Sequence, residues 1–383
     1  MLINVSDKKK IEMNSFLKKI LVAALVINPF YARADINIAV VAPMGGDYKY
    51  FSEELIDGAK IAVDEINNRG GLQGEKVNLV PVDDPCDDVL SLSAVQMMSL
   101  NKTDGRIHLV VGPYCSNAAD QIADLLAKAE IVQIHPTSIS RAYYTQNHPN
   151  VIKFAGYKEN QVAGLVDLLN KKYNGKKLAV IFDENNAEMK SVADVIQGKY
   201  AKNNKESYLL MAPYVNSERS LSEAVQSVIS ADADLVYIMG SYRNILLIAE
   251  QIKDEKNKTV LITDRYYLNK KFIRKVNEIS KDSLVLSLSS LKNNPAFASS
   301  LVRLRLWGIE PEGLMPYGYL SVKTWANTVN AAKSFKYVRI LKHLAGRKTD
   351  TGWGKTVFEQ GEPKLPAPFT VYHVKNGAYT QLQ

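Results

Sequence analysis

The sequence contains little cysteine, which limits the chemistry available to it. Among its 383 residues there are two cysteines and five histidines, and no spacing between them matches a zinc site. An even number of cysteines in an exported chain favours one disulfide, between Cys86 and Cys115. The loop it closes would contribute roughly 3 to 4 kcal/mol to stability. Two buried thiols are the alternative interpretation.

Motifs of the common enzyme classes are missing as well. The chain has no Gly-x-Ser-x-Gly elbow, Walker loop, dinucleotide fingerprint or paired-carboxylate motif. A cysteine that is engaged in a disulfide cannot act as a nucleophile, because the thiolate is the reactive form. The sequence therefore predicts that the protein is not an enzyme and that it carries neither a cofactor nor a metal.

The chain also lacks a stripe of basic residues. Its formal net charge is +8, but the first 34 residues hold six of the lysines and arginines against two acids. The remaining basic residues are scattered among acidic ones and are not interleaved with aromatics. This pattern argues against a nucleic-acid partner, because nucleic-acid surfaces select clustered Lys and Arg.

The N-terminus has the pattern of a secretory signal peptide. Lys18-Lys19 forms a basic head, Ile20 to Ile27 is apolar, and Ala32-Arg33-Ala34 supplies the small residues of a cleavage site. The apolar run is too short to span roughly 30 Å of hydrocarbon as a permanent anchor. We expect a mature periplasmic chain that begins at Asp35, without a lipid anchor because no cysteine follows the cleavage site. Met13 is an alternative start.

From Asp35 onward, short apolar runs alternate with amphipathic segments. Leu55, Ala59, Ala62 and Ile66 illustrate the spacing that is typical of a helix with one buried face. Strands are predicted at 36–42, 77–82, 107–111, 131–134, 178–182, 208–212, 235–239, 260–262, 284–288, near 357 and at 369–374. Helices are predicted at 51–69, 89–100, 118–128, 161–172, 191–202, 221–230, 244–253, 295–307, 317–333 and 337–344.

This alternation of strand and helix runs twice, and it predicts an α/β fold with two doubly wound parallel-sheet lobes. Runs such as Leu178 to Phe182 are apolar at every position, as expected for strands that have helices on both faces. A late helical region that returns to the first lobe would make the chain cross several times, forming a hinge and a cleft. The predicted units are the signal peptide 1–34, lobe one 35–154 plus 286–363, and lobe two 155–285 plus 364–383.

Several motifs occur in the same order as in a known family. They are Ile38-Ala39-Val40-Val41 with Pro43-Met44-Gly45-Gly46, Gly58-Ala59 with Gly70-Gly71-Leu72-Gln73-Gly74, Asp83 to Asp87, Val111 to Ser116, and Trp307-Gly308 with Pro316 to Tyr319. Through them the chain resembles the periplasmic leucine/isoleucine/valine-binding protein family, which has the type I periplasmic binding protein fold. The resemblance extends from Asp35 to about Val374 and is densest over the first third. It implies that Cys86 pairs with Cys115.

The resemblance also implies that lobe one holds the carboxylate of an amino-acid ligand. A receptor must supply partners to both charges of such a ligand, because burying either charge alone costs several kcal/mol. Ser116 matches the serine that follows the second cysteine, and Thr137 matches a residue of the loop after the fourth strand. Ser116 is alternatively an N-cap of the helix that is predicted to start at Ala118.

Other lobe-one positions match the family's pocket or depart from it. Phe51 and Tyr317 match aromatic residues of the pocket wall, and for both the alternative is packing in the core. Ile139 stands where the family has a hydroxyl residue that helps to hold the α-amino acid. Ser138 or Ser140 could take that role.

Lobe two departs further from the family. Ala187 stands where the family has a tyrosine that closes over the ligand, and Tyr242 matches the second tyrosine. The family's ammonium-binding carboxylate falls at Asp264 or Arg265. Asp264 facing the cleft would suit an ammonium group, whereas Arg265 in that place would favour an anionic ligand.

The function implied by the resemblance is that of a periplasmic substrate-binding protein of an ABC importer. The expected ligand is a small polar molecule, first of all a branched-chain or related amino acid, that is captured by closure of the hinge. The expected partners are a membrane permease and its ATPase, and the receptor is expected to be a monomer. A non-amino-acid metabolite on the same scaffold and a sensory receptor domain are the alternatives.

Overall fold

The structure is a computed structural model of the chain, and it describes most of the residues that follow the expected signal peptide. The described ranges are 36–100, 105–115, 118–137, 139–203, 208–215, 217–255, 258–263, 274–275, 278–280, 282–364, 369–376 and 378–382. The prediction of a signal peptide therefore concerns residues outside these ranges.

Strands and helices alternate along the chain, and the apolar stripe predicted for the first helix is buried at Leu55, Ala59, Ala62 and Ile66. The helices are α1 (Lys49–Asn68), α2 (Asp88–Leu100), α3 (Ala119–Lys128), α4 (Lys158–Lys172), α5 (Ala187–Asn203), α6 (Glu218–Ser230), α7 (Tyr242–Glu255), α8 (Ala298–Leu306), α9 (Met315–Ala332) and α10 (Tyr337–Gly346). The strands are β1 (Ile36–Ala42), β2 (Val77–Asp83), β3 (Ile107–Val111), β4 (Val132–His135), β5 (Val151–Lys153), β6 (Leu178–Asp183), β7 (Leu209–Tyr214), β8 (Leu235–Ile238), β9 (Val260–Thr263), β10 (Asp282–Leu288), β11 (Thr349–Asp350), β12 (Lys355–Thr356), β13 (Phe358–Glu359), β14 (Glu362–Pro363), β15 (Phe369–Lys375) and β16 (Ala378–Gln381).

The first sheet has five parallel strands in the order β2-β1-β3-β4-β5. Every residue of β1 is buried, because α1 and α9 pack on one face of the sheet and α2 and α3 pack on the other. Residues of α8 and α10 join the same core as α1. The first lobe thus combines the N-terminal sheet with helices from the C-terminal third of the chain.

Two glycines bring the backbones of α1 and α9 into direct contact. A Cβ atom at Gly58 would clash with the backbone carbonyl of Met315, and a Cβ atom at Gly318 would clash with the carbonyl of Leu55. Neither neighbour can move aside, because both are main-chain atoms of a helix. The close approach of the two helices therefore requires glycine at both positions.

The second sheet has seven strands in the order β16-β15-β10-β9-β8-β6-β7. Strands β6 to β10 pair in parallel, whereas β15 and β16 are antiparallel and form one edge. Helices α4 and α5 cover one face of the sheet, and α6 and α7 cover the other. This sheet and the helices on its two faces form the second of the two doubly wound lobes that the sequence predicts.

The chain passes between the lobes after β5, after β10 and before β15. Phe154 packs in the core of the first lobe, whereas Val162 packs in a core of the second. The short hairpins β11–β12 and β13–β14 belong to the first-lobe side, and β14 lies beside β5. The predicted α/β fold with two lobes and several crossings is confirmed.

The predicted helices and strands are confirmed within about four residues at each end. Pro295–Phe297 forms a separate 3-10 turn before α8, so the helix predicted from 295 starts later. Strands β5, β11, β14 and β16 were not predicted: the first three have only two or three residues, and β16 is exposed at every position, so none of them carries the apolar pattern of a strand. Within the described ranges, none of the helices combines the length and the hydropathy that a membrane crossing requires.

Candidate functional site

The candidate site is formed by the loops at the carboxyl ends of the parallel strands, where open α/β sheets bind ligands. In the first lobe these loops follow β1, β3 and β4, and in the second lobe they follow β6, β8 and β9. Of the predicted site residues that the structure describes, Thr137 follows β4, and Phe51, Tyr242 and Tyr317 lie in the first turns of α1, α7 and α9. In the part of the chain that the structure describes, no cluster of His, Cys, Asp and Glu is suited to a metal ion.

A disulfide joins two of the first-lobe loops. Cys86, after β2, is bonded to Cys115, after β3, with their Cα atoms 5.1 Å apart. The buried Asp84 side chain accepts hydrogen bonds from the backbone N–H of both cysteines, each at 3.1 Å, and from the Ser91 hydroxyl. Burial raises the pKa of Asp84, although these three donors oppose the rise. The predicted disulfide is confirmed, and it fixes the start of the loop that contains Ser116.

The other described lobe-one candidates are buried. Thr137 follows β4 and is 6% exposed, while Phe51 lies in the first turn of α1 and is 5% exposed. Phe51 belongs to the apolar core of the first lobe. Tyr48 and Tyr114, which sequence analysis did not select, place their ring centroids 5.9 Å apart beside the disulfide. Ser116 and Ser138 lie outside the described residues, so the ligand roles of all four candidates stay predictions.

Tyr317 is buried at the second crossing between the lobes. Its hydroxyl donates a hydrogen bond of 2.9 Å to the carbonyl of Ser289, and its ring lies 5.3 Å from that of Trp353. From the second lobe, the hydroxyl of Tyr372 accepts a 2.8 Å bond from the N–H of Ser290. Burial raises the pKa of Tyr317 well above that of a free phenol. Tyr317 therefore holds in place the segment after β10 that connects the two lobes. Its role in the wall of a ligand pocket stays a prediction.

Ile139 has an apolar environment within the first lobe. Its side chain packs with Tyr143, Tyr144 and Val151. Its backbone N–H donates to the carbonyl of Gly156 at 3.2 Å, which ties the loop after β4 to the first crossing. Ile139 is thus a core residue of the first lobe.

The carboxylate of Glu159 is shared by both lobes. Its Oε1 atom accepts bonds from the Ser140 hydroxyl at 2.6 Å and the Arg141 N–H at 3.0 Å in the first lobe, and from the Ser191 hydroxyl of α5 at 2.8 Å. Glu159 is 7% exposed, and its second oxygen is buried without a hydrogen-bond partner among the described residues. Sequence analysis missed Glu159 because the helix was predicted to start at Gln161, which left its charged first turn out.

Lys158 and Glu188 form a second polar contact beside Glu159. The ammonium of Lys158 lies 2.6 Å from a carboxylate oxygen of Glu188, in the first turn of α5. The backbone N–H of Lys158 donates to the carbonyl of Ile139 at 3.1 Å. Burial, together with the Glu188 charge, raises the pKa of the nearby Tyr143 phenol. A charged pair therefore lies where the loop after β4 meets the first turns of α4 and α5.

His135 ends β4 as a fully buried neutral ring. The Gln133 amide and the Tyr144 hydroxyl approach its Nε2 atom at 3.0 and 2.6 Å. An amide nitrogen can only donate, so Nε2 is the acceptor and carries no proton. Burial and the positive charge of Lys153 lower the pKa of His135 to about 3. Lys153 itself donates to the carbonyl of Gln360 at 2.7 Å, and burial lowers its pKa to about 8.

The second-lobe candidates are only partly described. Ala187 is the exposed first residue of α5, immediately after the loop that follows β6. Tyr242 is the first residue of α7, at the corresponding place after β8. Asp264 and Arg265 lie outside the described residues.

Comparison with known proteins agrees with the fold. A family model described as periplasmic binding protein matches residues 35–263. The Leu/Ile/Val-binding protein BraC3 of Rhizobium johnstonii is 25% identical, over 93% of this chain and 96% of its own length. The Leu/Ile/Val-binding protein homolog 3 of Brucella melitensis is 26% identical, over 92% and 95%.

Solved structures of similar proteins share the architecture. The leucine-binding protein LivK of Thermotoga maritima superposes with a TM-score of 0.77 at 20% identity, over 91% of this chain and 98% of that one. A solute-binding protein of R. palustris in complex with benzoate superposes with a TM-score of 0.75 at 15% identity, over 91% and 95%. Likeness at these identities establishes the fold, whereas the two bound or named ligands differ in chemistry.

Proposed function

The chain belongs to the periplasmic binding protein family, and from this premise we propose that it captures a small polar ligand between its lobes for an ABC importer. Membership of a solute-binding family confirms that the protein is not an enzyme. The first candidate ligand is a branched-chain or related amino acid, because relatives named Leu/Ile/Val-binding align with nearly the whole chain. Ser116 and Thr137 would hold its carboxylate.

One observation carries this proposal, namely that both lobes contact the same carboxylate at the first crossing. Glu159 accepts bonds from Ser140 in the first lobe and from Ser191 in the second. The loop after β4 and the first turns of α4 and α5 consequently meet at this point. A ligand that contacts both lobes stabilises the closed arrangement, because only differential affinity for one state can shift such an equilibrium.

A second candidate is a small organic acid on the same scaffold. Ile139 is buried in the first lobe and Ala187 has no polar group, so two of the contacts that hold an α-amino acid in the family are replaced. A solved structure of similar fold binds benzoate, which has a carboxylate and no ammonium. Tyr242 and Asp264 are proposed as second-lobe contacts of an amino acid, and Arg265 of an organic acid.

The proposed place of action is the periplasm. Residues 1–34 would direct export and be removed before Asp35. The closed, monomeric receptor would then dock on a permease and its ATPase. A gene neighbourhood that contains a permease and an ATPase would support transport, whereas a neighbouring membrane kinase would support a sensory receptor domain.

The proposal is tested by thermal-shift screening of the mature chain from Asp35. A ligand at 100 times its Kd should stabilise the protein by about 2.7 kcal/mol. The panel consists of leucine, isoleucine, valine, the other amino acids, and organic acids that include benzoate. A shift with an organic acid and none with any amino acid would discard the first candidate ligand and support the second.

The role of Ser116 is tested by the Ser116→Ala variant. Loss of a hydrogen bond to a charged ligand group should weaken binding by roughly 1.5 to 3 kcal/mol with little change in the melting temperature. A lower melting temperature at unchanged affinity would instead identify Ser116 as the N-cap of the following helix.

A further inference from the structure

The solvent side of α2 is apolar along the whole helix. Val89 and Leu90, in its first turn, are each more than half exposed. The same is true of Met97 and Leu100 near its end. No charged residue occurs from Val89 to Leu100, whereas the neighbouring α3 includes three charged residues. A helix that is apolar on every side is ordinarily buried, and contiguous exposed apolar side chains mark interaction surfaces. We therefore expect a partner to cover α2.

The serines of α2 add little polarity to this surface. Ser93 is exposed between the two pairs of large side chains, and its hydroxyl donates to the carbonyl of Val89 at 2.8 Å. The hydroxyl of Ser99 likewise donates to the carbonyl of Val95 at 2.7 Å. Because both hydroxyl donors are paired within the helix, covering them leaves no donor without a partner. The surface is thus suited to an apolar partner.

A groove beside the C-terminal end of α2 continues the apolar surface. It lies between α2 and α3, has a volume of about 680 Å³, and is lined by Leu100 and Leu125. Arg106 and Lys128 also line it. The guanidinium of Arg106 lies 2.9 Å from the carboxylate of Glu130. The exposed Lys128 forms no ion pair with any residue that the structure describes, so its charge is available to a partner.

The side chains of α2 have a distribution that suits a twofold axis. Large apolar side chains occupy both ends of the helix, and the small Ser93 and Ala94 occupy its middle. A twofold axis through the middle places an antiparallel copy of α2 beside the first, as in isologous dimers. Val89 and Leu90 of one chain then meet Leu100 of the other. The small central residues let the helices approach closely, and antiparallel helix dipoles attract each other.

The charges at the two ends of α2 fit the same arrangement. Asp87 and Asp88 are exposed where the helix begins. Arg106 and Lys128 line the groove where it ends. In an antiparallel pair, the acidic end of each helix faces the basic groove of the partner, and symmetry provides this contact twice. Complementary charges favour this orientation over a parallel one, which would bring like charges together.

We propose that the mature protein forms a reversible dimer, in which α2 and the adjoining groove of one chain pack against those of a second copy. The contact uses only the first lobe, so the second lobe stays free to close over a ligand of any kind. A helix of thirteen residues is about 20 Å long, and even with the groove it provides less than the roughly 800 Å² per partner of a typical specific interface. The dimer therefore dissociates readily, and the monomer stays the form that is proposed to dock on the permease.

Sedimentation velocity of the mature chain from Asp35 tests the dimer. Wild type should change from monomer to dimer as the protein concentration is raised over several decades. Leu100→Glu should weaken the dimer by about 10- to 100-fold, because each dimer would bury two added charges. Leu306→Glu is the matched control, since Leu306 is also the exposed last residue of a helix and α8 packs on the opposite face of the first sheet. A wild-type monomer at every concentration, or equal weakening by both variants, overturns the inference.

A cross-link tests the position of the axis, also if Leu100→Glu does not fold. Both native cysteines are engaged in the disulfide, so Ser93→Cys supplies one available thiol in each chain. Two such thiols beside the axis should oxidise to a disulfide between copies, because this bond requires Cα atoms within about 7 Å of each other. Ser222→Cys, exposed on α6 of the second lobe, is the control. Cross-linking of Ser93→Cys no faster than that of Ser222→Cys would overturn the inference, and a monomer that binds its ligand would leave the proposed function intact.

Discussion

The carboxylate of Glu65 on α1 accepts a hydrogen bond of 2.5 Å from the hydroxyl of Tyr319 on α9. Its other oxygen lies 3.0 Å from Arg69, 2.5 Å from Arg303 and 3.0 Å from Lys323. Glu65 is 2% exposed, so these partners surround a buried charge. One acid therefore joins α1, α8 and α9 in the first lobe.

Replacing Glu65 by Gln should destabilise the protein strongly. The change leaves three cations without their carboxylate, and breaking a buried charge network from one side costs about 3 to 5 kcal/mol. Denaturant unfolding of the mature protein measures the loss. Glu53→Gln is the control, because the pair of Glu53 with Lys49 is exposed and contributes under about 1 kcal/mol. Equal unfolding midpoints for the two variants would show that the network does not stabilise the fold.

The same carboxylate should make stability depend on pH in the acid range. Burial alone would raise the pKa of Glu65, but the bonds from Tyr319 and Lys323 lower it below its ordinary 4.5. An acid whose pKa is lower in the folded state stabilises the protein above its unfolded pKa and loses this contribution as the pH falls through the folded value. Thermal unfolding below pH 5 should therefore show a decline that Glu65→Gln lacks.

His135 should add a second decline in stability, which starts at a higher pH than the decline due to Glu65. Its pKa is lowered from 6.5 to about 3, so between these values the unfolded chain binds a proton that the folded protein excludes. The contribution of His135 to stability is complete above pH 6.5. Below that value the free energy of unfolding falls by up to about 1.4 kcal/mol for each pH unit. In His135→Gln the slope between pH 6 and pH 4 should flatten. His343→Gln serves as the control, because this histidine is less deeply buried; an identical slope in wild type and His135→Gln would contradict the assignment.

The fold could be predicted from local patterns because they carry its main determinants. Runs such as Leu178 to Phe182 indicate buried parallel strands without knowledge of their neighbours, and the stripe of α1 indicates the face that packs. Glu65 is different, since in the sequence it is one more acid on a helix. Its partners Arg303, Tyr319 and Lys323 come from a part of the chain more than two hundred residues away. Long-range polar contacts of this kind leave no local signal.

The site could be predicted only in part, because its polar contacts are also long-range. The disulfide could be expected because cysteines are few and match a family motif, and it is confirmed. Lys158 and Glu159 were not selected, because a charged first turn of a helix is ordinary in sequence. Only the fold places Ser140, Ser191 and Glu188 around them.

Gly318→Ala should destabilise the first lobe. The added methyl group would meet the backbone carbonyl of Leu55, so α1 and α9 would have to separate, and overpacking of this kind costs about 1 to 3 kcal/mol. Gly164→Ala is the matched control in the interior of α4, where no atom lies within 4 Å of an added Cβ. That substitution should stabilise by about 0.5 to 1 kcal/mol through helix propensity. Calorimetric melting distinguishes the two, and a stabilising Gly318→Ala would rule out the close contact.

Removal of the disulfide should affect both stability and binding. The double variant Cys86→Ser with Cys115→Ser should lose about 3 to 4 kcal/mol, because the loop is no longer closed in the unfolded chain. It should also weaken ligand binding, since the freed loop carries Ser116. Melting under reducing and oxidising conditions, with titration of the identified ligand, measures both effects. Wild-type melting that is insensitive to reductant would contradict the first expectation.

Two close contacts, of Gly58 with Met315 and of Gly318 with Leu55, join α1 to α9. These two helices leave the ribosome far apart in time. Strands β6 to β10 of the second lobe are contiguous in sequence and emerge before α9. The first lobe, in contrast, has only α1 on one face of its sheet until α8, α9 and α10 have been synthesised. The N-terminal half therefore cannot complete a stable core early. A chain that is interrupted before α9 consequently lacks both of these helix–helix contacts.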